Sequence, residues 1–121
     1  MDFIELNNMA FYGFHGNLTS EEEQGQRFFV DLLVGADLSQ AGQSDALEDS
    51  INYVALYELV ETIMTGSRCH LLEHLGALIA DAIMRDFPRV QGVRVKIRKP
   101  SVPIQGILDY AAITTCRGAD L

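Results

Sequence analysis

Two stretches of the chain alternate apolar and polar residues, and two others repeat apolar residues at helical spacing. Phe28, Val30, Leu32, Val34, Ala36 and Leu38 interleave with Arg27, Phe29, Asp31, Leu33, Gly35 and Asp37. Val93, Val95 and Ile97 interleave with Arg94, Lys96 and Arg98, and Lys99 and Pro100 end that run. Successive side chains of an extended chain point to opposite faces, so both stretches are predicted strands with one face buried. Phe3 to Phe14 is mostly apolar, with Phe11, Tyr12 and Phe14 giving strand character that Gly13, His15 and Gly16 break, and predicts a first strand. Ile107 to Cys116, after a turn over residues 101–106, predicts a fourth. Val54, Tyr57, Val60 or Glu61, and Met64 lie at helical spacing behind a capping Asn52, with Gly66 placed to end the helix. Leu72, Leu75, Ile79, Ala82 and Ile83 form the apolar face of a second helix between Leu71 and Phe87, stopped by Pro88. The polar segments 17–25 and 39–50 read as connections.

The order strand, strand, helix, helix, strand, strand predicts one α+β domain over residues 1–121, a four-stranded antiparallel sheet with two helices on one face. Such a sheet has two long unpaired edges, and pairing edge to edge with further copies into a ring would cover them. The opposite face carries Arg94, Lys96 and Arg98, expected to be a solvated basic face without a catalytic part.

Charge narrows the partners. Seventeen acidic residues against nine Lys and Arg give a net charge of −8, a field that repels nucleic acid and anionic lipid surfaces. Asp2 and Glu5 interrupt the apolar start, and no apolar run approaches a membrane span, so a cytoplasmic protein with no nucleic-acid or membrane partner is expected. Cys69 and Cys116 lack CxxC spacing and are expected to be reduced, partly buried thiols.

The chemistry-bearing residues are few. His70, Glu73 and His74 spell H-x-x-E-H, which can place two zinc ligands on one helix face, but the 47 residues after His74 read mainly as a strand hairpin, so no metal is expected. His15 reads as a turn or hydrogen-bonding residue. Of two lysines, Lys96 fits an ordinary surface charge. Lys99 lies in KPSVPIQG, where prolines stiffen the backbone; it is either a strand-end charge or a functional ammonium. Glu73, in a first helical turn, either complements the helix N-terminus or grips two parallel N–H donors of a planar ligand, with backbone help from Leu71 and Leu72. Tyr53 either packs on its helix or relays a proton.

Five blocks, FYGFHG at 11–16, EEEQGQRF at 21–28, SDALEDSINY at 44–53, LLEHL at 71–75 and KPSVPIQG at 99–106, together resemble the dihydroneopterin aldolases across nearly the whole chain. The resemblance implies the tunnelling fold, tetrameric rings that stack into octamers, and sites between subunits. It implies a small pterin substrate, no cofactor and no metal. Glu73 and the backbone near Leu72 would anchor the aminopyrimidinone edge, and Glu21 would lie near the polyol tail. Tyr53 would arrive across the interface, and Lys99 would manage protons through water. The implied reaction is retro-aldol cleavage without a Schiff base, in folate biosynthesis, together with epimerisation to dihydromonapterin. A triphosphate substrate is disfavoured by the carboxylates of Glu21, Glu22 and Glu23 at the tail.

Overall fold

Where the sequence alternates most strictly, the burial alternates with it. A computed structural model describes all of residues 1–121. Phe28, Val30, Leu32 and Val34 are at most 1% exposed, and so are Val93, Val95 and Ile97, so these two strands form the floor of the core. Strands β1 (Asp2–Gly13), β2 (Gln26–Ala36), β3 (Gly92–Lys99) and β4 (Ala111–Gly118) lie in that order in one antiparallel sheet. Helices α3 (Tyr53–Met64) and α4 (Leu72–Asp86) pack on one face of it, as expected. Two short helices, α1 (Thr19–Gln24) and α2 (Ser39–Ser44), occupy the segments read as connections. Helix α1 forms because the Glu21 carboxylate turns back to accept from Leu18 N at 3.2 Å, a local bond that hydropathy does not report.

Four sequence expectations shift. The buried ridge of α3 is Leu56, Val60 and Met64, while Val54 and Tyr57 are exposed. The i, i+4 spacing of those three aims them at the sheet, whereas Tyr57 stands at the edge of the core with its ring 5.5 Å from Phe11. Strand β4 starts at Ala111 and not at Ile107, because its first partner is Lys99 and Pro100 beyond it has no N–H to offer. The face bearing Arg94, Lys96 and Arg98 is not simply solvated. Arg98 grips the Asp31 carboxylate at 3.1 and 3.2 Å and Asn8 at 2.7 Å, Arg94 donates to Leu121 O at 2.8 Å, and all three cations are half-buried. Asn8 sits in a β1 bulge at φ 60°, where Asp31 also accepts from its N–H, so the pairing residues bend the edge strand. Of the two free thiols, Cys69 is buried and Cys116 is exposed, because β4 turns Cys116 away from α4. No helix is long and apolar enough to cross a membrane.

Helix α4 lies tightly on β4 through Gly76. A Cβ there would come within 2.6 Å of Thr115 Oγ1 and 2.8 Å of Ile113 Cδ1, so the helix forgoes a side chain in order to approach the sheet. Gly76→Val should destabilise the protein by about 1–3 kcal/mol despite the poor helix propensity of glycine, read as a lower Tm; an unchanged or raised Tm would mean the contact is not tight.

Candidate active site

The end of the sheet where β3 stops is also where α4 starts. Lys99 is the last residue of β3, and there its side chain is only 9% exposed. Its ammonium meets the Glu21 carboxylate, which is itself 12% exposed, in an ion pair at Oε2. That oxygen is buried and has no other partner. Burial pushes the Glu21 carboxyl up, but hydrogen bonds from Lys99 and from the Leu18 and Asn17 backbone outweigh it and hold the group below the usual carboxylate range. Gly16 makes room for this: at φ 145° it adopts a backbone few other residues reach, and a Cβ there would collide with the Glu21 carboxylate.

Around the pair opens a cleft of about 430 Å³ lined by Glu21, Leu71, Leu72, Glu73 and Lys99, with His70, Ile104 and Ile113 among its other walls. Leu71 is the N-cap of α4 in extended conformation and supplies no side-chain cap, so the first-turn amides at Leu72 and Glu73 remain available to a ligand. Glu73 is exposed at the same helix start. Five of the six residues singled out in the sequence therefore share one cleft. Tyr53 does not. It begins α3, 59% exposed and outside the cleft lining, about 16 Å along the helix from Met64 at the other end.

Sequence reasoning gave His15 a minor part, and the structure gives it a larger one. The ring is 1% exposed; its Nδ1 accepts from Cys69 N at 3.0 Å, so Nε2 carries the proton and donates to Met64 O at 2.8 Å. It thereby ties the end of α3 to the approach of α4. The signal available was the Gly13–His15–Gly16 spacing, which marks a turn without revealing what the imidazole holds. Gln26 was missed as well: its amide bonds Ser101 N and O at 2.9 and 2.8 Å and clamps the loop after Lys99. His70 and His74 are both exposed, and no three His, Cys, Asp or Glu side chains converge as a metal site would require.

A buried lysine–carboxylate pair beside open helix amides, in an apolar cleft, has the make-up of an enzyme's small-molecule site. The dihydroneopterin aldolase family profile matches residues 4–116. The chain is 44% identical over 119 residues to a dihydroneopterin aldolase of Staphylococcus epidermidis, covering 98% of each, and 44% identical over 117 residues to that of Bacillus subtilis, covering 97% of this chain and 98% of the other. Its fold superposes with a TM-score of 0.89 on an E. coli dihydroneopterin aldolase solved with neopterin, at 23% identity, covering 98% of this chain and all of that one. The chain belongs to the dihydroneopterin aldolase family and is a lyase.

Burial pushes His15 below its ordinary 6.5; the Met64 carbonyl opposes this, and the charges of Arg68 and Lys99 add to the fall. The unfolded chain then takes up the proton more readily, so the stability His15 contributes is full above about 6.5 and drains as pH falls below it. The drop in Tm between pH 7.5 and pH 5 should shrink in His15→Gln; an unchanged drop would assign the acid sensitivity elsewhere.

Proposed function

We propose that the chain is a 7,8-dihydroneopterin aldolase of folate biosynthesis, which cleaves its substrate to 6-hydroxymethyl-7,8-dihydropterin and glycolaldehyde with neither metal nor Schiff base. The observation that carries this reading is the placing of Glu21, Lys99, Glu73 and the Leu71–Leu72 backbone around one cleft. Two carboxylate oxygens of Glu73 match the parallel N–H donors of the aminopyrimidinone edge, and the amide at Leu72 donates to an acceptor beside it. The ring thus anchored points its polyol tail toward Glu21 and Lys99.

Cleavage removes a proton from the second side-chain hydroxyl and breaks the bond between the first and second side-chain carbons. The released electron pair passes into the neighbouring C=N of the dihydropterin, which becomes an enamine, and the second carbon leaves as the aldehyde. Protonation of the first carbon restores the C=N. The ligand is its own electron sink, so the protein needs only an anchor, a route for protons and a donor. The hydroxyl proton passes through a water that the Lys99 ammonium orients to the Glu21 carboxylate, the one member of the pair able to accept it. The Lys99 ammonium is tied to Glu21, a state unsuited to nucleophilic attack on a carbonyl. Tyr53 of a neighbouring copy assists protonation of the enamine, since Tyr53 does not line the cleft of its own chain. Rejoining the aldehyde to the other face would give the epimer.

Assembly follows from the same reading. Strands β1 and β4 are open edges, and apolar Tyr53, Val54, Leu71, Ile104 and Ile107 are all more than half exposed. Both features favour a ring of copies, alone or stacked as an octamer, acting in the cytoplasm. Purified protein given 7,8-dihydroneopterin in the presence of a chelator should release glycolaldehyde, and Lys99→Ala should lower kcat by about 100-fold or more with pterin binding largely kept. Release lost only with chelator would require a metal, and no release in either condition would end the aldolase reading.

A further inference from the structure

Arg68 does not line the cleft, yet it makes four polar contacts with the segment that brings Glu21 into it. Its Nε donates to Phe14 O at 3.1 Å, and its Nη2 donates to Gly16 O at 2.5 Å and Leu18 O at 3.4 Å. Its Nη1 pairs with the Glu22 carboxylate at 3.1 Å. The side chain is 21% exposed, while Glu22 is 59% exposed, so the ion pair contributes little and the three carbonyl bonds contribute most of the restraint.

The restraint is needed where it falls. Helix α1 has six residues, no side-chain cap and no buried residue. A helix of that length does not hold itself together in water, so Glu21 stands wherever the preceding loop puts it. Arg68 fixes that loop at Phe14, at Gly16 and at Leu18, and Leu18 N is the donor that orients the Glu21 carboxylate. Gly16 N also donates to Cys69 O at 2.9 Å, so the same short stretch joins the loop to the chain entering α4. Arg68 lies between α3 and α4, three residues before Leu71. It therefore ties the wall that carries Glu21 to the wall that carries Leu71, Leu72 and Glu73.

We propose that Arg68 is a positioning residue for the cleavage, holding Glu21 against Lys99 at a set distance from the ring-anchoring start of α4. Only a guanidinium serves: its planar fork reaches three carbonyls and a carboxylate at once, whereas a lysine ammonium is a point charge that cannot span them. The inference rests on the aldolase reading and on a part for Glu21 in turnover.

The test is a double-mutant cycle on glycolaldehyde release by the assembled enzyme, with wild type, Arg68→Ala, Glu21→Gln and the double variant. Each single variant should lose about 10–100-fold in kcat, and the double should fall no more than about twofold below the worse single, because both changes disable the same carboxylate. Arg68→Lys should remain within about threefold of Arg68→Ala. A merely structural arginine would give losses that multiply, and that result would overturn the proposal, as would full activity in Arg68→Lys. Should Arg68→Ala fail to fold, the same cycle run with Arg68→Lys reads the coupling. An inactive wild type would overturn the aldolase reading itself, whereas an active wild type with independent losses would overturn only the part given to Arg68.

Discussion

The ion pair between Lys99 and Glu21 is the constraint around which this end of the protein is arranged. Two charges withdrawn from water stabilise each other only while both remain in place; removing one partner of such a pair costs about 3–5 kcal/mol, because the other stays buried and unpaired. Here the two partners come from elements far apart in sequence, the last residue of β3 and a helix of six residues, so the fold has to bring them together by other means. Pro100 ends the strand at the lysine, and Gln26 fastens the loop that follows. Gly16 leaves space for the carboxylate, and Arg68 fixes the loop that leads to it. Each of these serves a distance that no single element sets.

The core behind the pair is conventional, and its regularity is what makes the site precise. Helix α4 is pinned to β4 at Gly76, so its N-terminus is held at a fixed height over the sheet end where Lys99 emerges. His15 joins the C-terminal end of α3 to the approach of α4 without exposing any of its ring nitrogens. The start of α4 and the end of β3 are thus two parts of one rigid frame. Tyr53, the proton donor of the proposed reaction, lies at the other end of α3, and in the proposed assembly the open edges of the sheet bring a second copy's tyrosine to the cleft.

The frame was legible in the sequence because its signals are periodic. The strict alternation over Val93–Ile97 located β3 and its buried face, and Asn52, with its carboxamide accepting from Val54 N at 3.0 Å, was found as the cap of α3. Shorter-range chemistry was not legible. Helix α1 depends on one carboxylate returning to a backbone amide, and Thr19 to Gln24 carry no apolar stripe to announce it. The start of β4 is set by a proline on the partner strand and not by its own residues. Glu73, Leu71, Leu72 and Lys99 stood out as candidates by their positions at a helix start and a strand end, Glu21 came in only through resemblance to a family, and the structure places all five on one cleft. Arg68 and Gln26 escaped because backbone carbonyls and amides, which have no sequence signature, are their partners.

The central claim is that each site is shared between two copies, one supplying Lys99 and the other Tyr53. Subunit mixing tests it most directly. Lys99→Ala and Tyr53→Ala chains, each of low activity alone, should form hybrids on co-refolding in which about a quarter of the sites combine an intact Lys99 with an intact Tyr53. Recovery of activity in the mixture, absent from either parent, is the result expected. A mixture no more active than its parents, with hybrid assembly verified by mass, would contradict the shared site.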